Sequence, residues 1–311
     1  MRTTEARDRA PRLVATRCAI CGSRDNANEL YAARLPDDAF TPAVFSARRL
    51  PDGTHHRMVI CRTCSLVRAD PVLDSDFSAE LYRESTFDYG EELDALKITY
   101  GAALDRLAEV VPARRGIVDI GCGNGFVLEV ARERGWTDVR GVEPSRDAIA
   151  QAQPRIAESI VPDVMRAGLL PESSFDAVTL FQVLDHMPDP QALLRDSLAV
   201  LRPGGAILAF NHNVTAWSAR LMRERSPIVD VEHTYLYSPL TMRRLFESVG
   251  FQVVSARSVR NTYSLSYLLH LLPLPAVAKQ SLLARVGRTR LGRTQVTVPL
   301  GNQCLIARRP R

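Results

Sequence analysis

Gly116-Ile117-Val118-Asp119-Ile120-Gly121-Cys122-Gly123-Asn124-Gly125 is the stretch from which the chain is read. A β-branched run ends in a carboxylate, and three glycines follow at alternate positions. Phe126-Val127-Leu128-Glu129-Val130-Ala131 then reads as the first turns of a helix, so the order is strand, glycine turn, helix. Glycine lacks a Cβ, so it accepts positive φ and lets a ligand approach the backbone closely. Against the dinucleotide fingerprint G-x-G-x-x-G, the spacing here is G-x-G-x-G, with Phe126 in place of the third glycine. The close helix–strand packing that the last glycine encodes is therefore lost. An ordinary tight turn is the bland alternative, and the residues downstream argue against it.

Val142-Glu143-Pro144-Ser145 puts an acid at the tip of the next strand, about 20 residues on, where it can accept both hydroxyls of a ribose. Phe175-Asp176-Ala177-Val178, Leu184-Asp185-His186-Met187-Pro188-Asp189-Pro190 and Leu201-Arg202-Pro203-Gly204-Gly205 follow in order. On these motifs, roughly from residue 85 to 255, the chain resembles the class I S-adenosyl-L-methionine-dependent methyltransferases. The resemblance implies a Rossmann-like α/β fold with a seven-stranded sheet and S-adenosyl-L-methionine as cofactor. It assigns cofactor contacts to Asp119, Gly121, Gly123, Gly125 and Glu143, with Phe181 and Gln182 at the end of the fourth strand. An acidic and aromatic lining suits a ligand that carries a sulfonium and an adenine. The family's adenine-binding acid follows the third strand; Asp163 is the nearest candidate, and a loop cap is its alternative.

Hydrophobic patterning alternates strand and helix, as a parallel sheet with helices on both faces requires. Strands are expected near 116–120, 138–142, 158–162, 176–181, 205–210 and 251–257, and helices near 124–134, 145–153, 190–201 and 239–249. Arg202-Pro203-Gly204-Gly205 reads as a turn feeding the fifth strand. Asp74, Ser75 and Asp76 mark a helix start, and the spacing from Leu93 to Val111 predicts a helix ending near Pro112. The resemblance lays such a helix over the cofactor, with Tyr89 or Tyr100 able to touch it; core packing is the alternative for Tyr100. Four segments result: a zinc-ribbon-like module over 1–73, a linker helix region over 74–112, the cofactor-binding core over 113–258, and an insertion with the closing hairpin over 259–311.

The cysteines define the first segment. Cys18-x-x-Cys21-Gly22 and Cys61-x-x-Cys64 are two knuckle-like pairs, from which four thiolates are expected to complete a tetrahedral Zn2+ site of structural type; two disulfides or a redox dithiol are the alternatives. The wide gap between the pairs holds Phe45, Met58, Val59 and Ile60, enough for a hairpin or small sheet. His55 and His56 are spare ligand candidates, with solvated loop histidines the simpler expectation. Cys122 reads as a small packing residue in the glycine turn. With Ser65-Leu66-Val67-Arg68-Ala69-Asp70-Pro71 and Leu81-Tyr82, this region resembles bacterial methyltransferases that carry an N-terminal zinc ribbon. That subset is linked to glycan and natural-product pathways.

At 311 residues, 46% apolar and 24% charged, the composition is that of an ordinary globular chain. No stretch reaches the roughly 18 apolar residues of a membrane span, and Met1 to Arg12 lacks an apolar signal region, which points to the cytoplasm. Net charge is +5. Ten basic residues and no acidic ones follow Glu247, so the first 247 residues carry a net −5 and the basic field is local.

Methyl transfer to a hydroxyl or a carbon acid needs a base, and histidine titrates nearest neutrality. His186 beside Asp185, His212 in Asn211-His212-Asn213 and His233 in His233-Thr234-Tyr235 are the candidates as catalytic base or substrate contact; hydrogen-bonded loop histidines are the alternative. The expected reaction is methylation of oxygen or carbon in a small molecule, a sugar, a glycan or a natural-product intermediate. A zinc-ribbon RNA methyltransferase and a non-catalytic binding protein are the alternatives. The Asn/Asp-Pro-Pro-aromatic tetrad of amide and nucleobase methyltransferases is absent, which argues against DNA or glutamine methylation and leaves RNA open. The apolar, proline-broken tract over 262–293 reads as a cap on the active site or a homodimer contact. Its alternative is an anionic membrane surface or a lipid-linked substrate.

Overall fold

A computed structural model describes residues 11–42, 44–45, 53–85, 90–271, 276–286 and 289–311. Tyr89 and parts of the 262–293 tract lie outside them. The N-terminal region forms β1 (Leu13–Val14), β2 (Ala27–Tyr31), β3 (Met58–Cys61), β4 (Val67–Ala69) and β5 (Val72–Leu73). Asp74 caps α1 (Ser75–Glu84) by accepting the Phe77 N–H at 3.1 Å, as the sequence predicts. Next comes α2 (Leu93–Val110), which buries Leu96, Tyr100, Leu104 and Leu107 along one face.

The core runs β6 (Gly116–Ile120), α3 (Phe126–Glu133), β7 (Asp138–Val142), α4 (Arg146–Ala150), α5 (Pro154–Ala157), β8 (Ile160–Val161), β9 (Phe175–Phe181), α6 (Pro190–Val200) and β10 (Leu201–His212). It continues with α7 (Trp217–Met222), β11 (Tyr235–Leu236), α8 (Pro239–Ser248), β12 (Gln252–Ser264), α9 (Leu265–Leu271), α10 (Ala276–Val286) and β13 (Gln295–Arg308). Seven strands form one sheet in the order β12-β13-β10-β9-β6-β7-β8. All pairings are parallel except those of β13 with β10 and β12. Every residue of β6 and of β9 is buried, as befits inner parallel strands covered on both faces. One apolar cluster joins α2 and α3 to the sheet, and another joins α6 and α8 to its opposite face.

Three expectations change. The helix expected over 145–153 ends at Ala150, and Pro154, suited to a first helical turn, opens the separate short α5. The strand expected over 158–162 shrinks to Ile160–Val161. Arg202 to Gly205 lies inside β10 but bends there: Gly204 takes φ +79 and the pairing with β9 shifts register between Leu201 and Ala206, while Gly204 donates to the Arg309 carbonyl at 3.0 Å and Arg309 to that of Gly205 at 2.8 Å.

The N-terminal module has a four-stranded sheet in the order β11-β4-β3-β2. Its outermost strand, β11, comes from far down the chain, beyond the parallel core. His55 and His56 are buried, contrary to the solvated reading: His56 stacks on Phe40, and His55 Nε2 lies 3.3 Å from Glu224 Oε1.

Candidate active site

The glycine turn sits at the C-terminal edge of the sheet, where β7 flanks β6 on one side and β9 on the other. This is the topological switch point at which α/β sheets bind ligands. Gly121 has φ +72, and a Cβ there would meet Val183 Cγ2 at 2.6 Å, so the turn takes no side chain at that point. Glu143 is buried and holds the turn: its Oε2 accepts the Gly123 N–H at 2.9 Å and its Oε1 the Ser145 N–H at 2.8 Å. Asp119 is also buried and accepts the Thr179 hydroxyl at 2.6 Å. Burial, against the Thr179 hydrogen bond and with the charge of Glu143, pushes the Asp119 carboxyl up to about 7. Burial likewise raises Glu143.

Asp119, Gly121, Glu143, Asp163, Phe181 and Gln182 all border one cleft of about 610 Å3. Tyr100 closes part of it and stacks on Phe181 at 4.2 Å between ring centroids, so this residue both packs in the core and borders the cleft. Gly123 and Gly125 shape the turn behind it, with φ +55 and +73. Asp163 differs from the others in being tied to its own loop: it accepts the Val164 N–H at 2.8 Å and pairs with Arg166 at 2.9 Å. Gln182 adopts φ +56 at the strand end, and its amide reaches Asn302 Oδ1 at 3.5 Å.

The other end of the cleft gathers the three histidines around Asp185. Asp185 Oδ1 accepts the Asn211 amide at 2.7 Å and lies 3.8 Å from His186 Nε2, while Oδ2 lies 3.8 Å from His233 Nε2. The Nδ1 of His233 is 2.8 Å from the Ile228 carbonyl, and that of His212 is 3.0 Å from Asn302 Oδ1. Each Nδ1 must therefore carry the proton, leaving Nε2 as the acceptor. His186 uses its Nδ1 differently, at 2.9 Å from the Tyr82 hydroxyl. Burial pushes both His186 and His212 down to about 4, so both are neutral at pH 7. Tyr82, Asn211 and Asn302 were not marked as site residues by the sequence. Asn302 enters through the antiparallel pairing of β10 with β13, in which it faces His212.

The four cysteines also come together. Their sulfurs lie within 4.8 Å of one another, with Cys18–Cys64 at 3.2 Å and Cys21–Cys61 at 3.6 Å, and none forms a disulfide. Both knuckles turn through a left-handed residue, Gly22 at φ +71 and Ser65 at φ +63, which donate to the Cys18 and Cys61 carbonyls at 2.8 and 2.9 Å. Thiolates about 2.3 Å from a tetrahedral zinc sit roughly 3.8 Å apart, so the donor set and its spacing fit.

The fold and cleft together define the class of S-adenosylmethionine-dependent methyltransferases. The family profile described as a methyltransferase domain matches residues 93–256, and the chain belongs to that family. A ubiquinone biosynthesis O-methyltransferase of Chromobacterium violaceum is 29% identical over 143 residues, 43% of this chain and 59% of that protein. One from Paracidovorax citrulli is 28% identical over 213 residues, 63% of this chain and 87% of that protein. A crystal structure of a Bacillus halodurans C-125 methyltransferase shares the fold, with a TM-score of 0.50 at 16% identity, covering 68% of this chain and 100% of that one.

The residues present fit the cofactor. Two buried carboxylates stand near each other, and neither forms an ion pair among the described residues, so a cationic ligand relieves them. Gly121, which packs against Val183 and carries no side chain, lines the same cleft as the two carboxylates, so a ligand there meets bare backbone.

Proposed function

We propose that the protein transfers a methyl group to a hydroxyl oxygen of a small molecule, a sugar, a glycan or a natural-product intermediate. The observation that carries this is the continuity of one cleft, from the glycine turn and Glu143 at one end to Asp185 and its histidines at the other. Relatives named for O-methylation favour oxygen over carbon as the acceptor. S-adenosylmethionine supplies an electrophilic methyl on a sulfonium. Glu143 accepts the ribose hydroxyls, using the lone pairs left over from its two backbone bonds. Asp119 and Glu143 contribute the negative field, and Phe181 and Tyr100 the aromatic wall. The turn glycines allow close approach, and Gln182 lies where the two ends of the cleft meet. Asp163 borders the same end.

His233 takes the proton from the acceptor hydroxyl at Nε2. The Ile228 carbonyl holds its tautomer, and the Asp185 carboxylate stabilises the imidazolium as it forms. His212 orients the acceptor through its free Nε2, and His186 fixes the Tyr82 hydroxyl in the wall. The protein's share of the rate enhancement lies in alignment and exclusion of water.

Zn2+ at Cys18, Cys21, Cys61 and Cys64 is the structural metal, supported by the four-thiol donor set. Free thiols of this kind suit a reducing compartment, which supports a cytoplasmic setting.

The test is to incubate the pure protein with isotopically labelled S-adenosylmethionine and fractionated metabolite extract, then identify the labelled product by mass. A label in a methyl ether of a small molecule is the expected result. A label only in RNA or protein would contradict the acceptor class, and no label in any fraction would contradict the activity.

A further inference from the structure

The cysteine centre and the histidine end of the cleft are joined by backbone. Cys61 ends β3, and Cys64 lies three residues before β4. On its free edge β4 pairs with β11: Arg68 faces Tyr235 and Val67 faces Leu236. Ala69 donates to the Thr234 carbonyl at 2.8 Å. Thr234 and Tyr235 in turn donate to the Asp185 carbonyl at 2.9 and 3.2 Å, so this segment is clamped between the module and Asp185. His233 is the residue immediately before it. The Tyr235 hydroxyl also donates to the carbonyl of Arg17, next to Cys18, at 3.0 Å. Cys18, Cys61 and Cys64 share a buried apolar cluster with Tyr235, Tyr237 and Leu245. A second link runs through α1, whose Tyr82 reaches His186. The cofactor end is held differently: Glu143 ties the glycine turn to itself through bonds within the core alone.

We propose that the four-cysteine centre positions the acceptor side of the active site. With its metal bound, the knuckles fix β4; β4 fixes β11; and β11 fixes the imidazole of His233 against Asp185. Tyr82 is the parallel positioning residue for His186. The module thus contributes to acceptor recognition and deprotonation while leaving the cofactor seat independent. This rests on the zinc reading and on the role given to His233 above, and each has its own readout below.

Cobalt is first exchanged into the purified full-length protein, and thiolate charge-transfer absorption reports whether the cysteines hold it. Metal is then removed with a chelator, and in parallel Cys64→Ser is prepared. Amide exchange at Ala69, Thr234 and Tyr235 and the side-chain NMR signals of His186 and His233 are compared with S-adenosylhomocysteine affinity by calorimetry. Loss of metal is expected to speed exchange at those amides about tenfold or more, to move both histidine signals, and to leave the affinity within about twofold. Zinc or cadmium, both diamagnetic, added back restores the signals. Tyr235→Phe, which keeps all four cysteines, retains the metal and shifts the His233 signal. Unchanged exchange and histidine signals on metal removal would overturn the proposal. So would affinity lost in step with them, which signals general unfolding, or a folded protein whose cysteines take no cobalt. Intact coupling with a His233→Gln variant that keeps full turnover would instead remove only the role given to His233.

Discussion

At the scale of single residues, two buried carboxylates, Asp119 and Glu143, stand at the glycine-turn end of the cleft. Glu143→Ala removes the acid that steadies Gly123 and Ser145 and that would accept the ribose, so affinity for S-adenosylhomocysteine is expected to fall by about 1.5–3 kcal/mol. Unchanged affinity by calorimetry would count against the ribose role. Asp119, pushed up to about 7, gives a pH signature. A sulfonium favours its charged form, so affinity for S-adenosylmethionine should be full above about pH 7 and fall by up to about tenfold per unit below it. The neutral thioether product should lose less over the same range, and equal losses would show that Asp119 does not sense the sulfonium. In the ligand-free chain the sign reverses. The raised value makes deprotonation a cost, so the stability contributed by protonated Asp119 is lost as pH rises from its ordinary 3.8 through about 7. At the acceptor end, His233→Ala should lower kcat about 10²- to 10⁴-fold with S-adenosylhomocysteine affinity unchanged; an unaltered kcat would reassign the base. Asp119, Glu143 and the glycines were legible because strand and turn chemistry place them locally. Tyr82 and Asn302 were not, because each reaches the cleft through partners 104 and 90 residues away.

Among elements, the parallel core was readable from its alternation of apolar runs and turns, and every expected core strand is present. Its errors trace to context. The helix expected to reach residue 153 stops at Ala150 and a new one opens on Pro154, and pairing with Arg309 takes the bent Pro203-Gly204 segment into the sheet. The closing hairpin is present as expected but runs further. Where a strand over 251–257 was expected, β12 continues to Ser264 and pairs with β13 as far as Gln295, carrying α9 and α10 beyond. Such long-range pairing leaves no periodic trace in one strand. Tyr267 at its far end borders the cleft, which supports the cap reading of the 262–293 tract. That the cysteine pairs come together was legible from their spacing, but the recruitment of β11 into their sheet was not, since two residues of Tyr235–Leu236 give no strand signal. A metal assay on the purified chain is expected to return about one zinc per protein; a folded, metal-free chain would contradict that site.

On the scale of the whole molecule, the division of charge matters less than the division of labour. The ten basic residues beyond Glu247 give a local positive field, and among the described residues no helix is long and apolar enough to cross a membrane. If the tract over 262–293 is a cap, the protein should stay in the soluble fraction when floated with acidic vesicles at low salt; co-flotation would favour the interfacial alternative. The cleft is bordered at the glycine-turn end by the core and Tyr100 of α2, and at the histidine end by the module, α1 and the histidine loops. A crystal grown with S-adenosylhomocysteine tests the donor seat most directly. The expected density fills the cleft beside Gly121, with the ribose hydroxyls on Glu143 and the sulfur facing the histidine end. A ligand bound elsewhere, or a cleft left empty at saturating concentration, would contradict it.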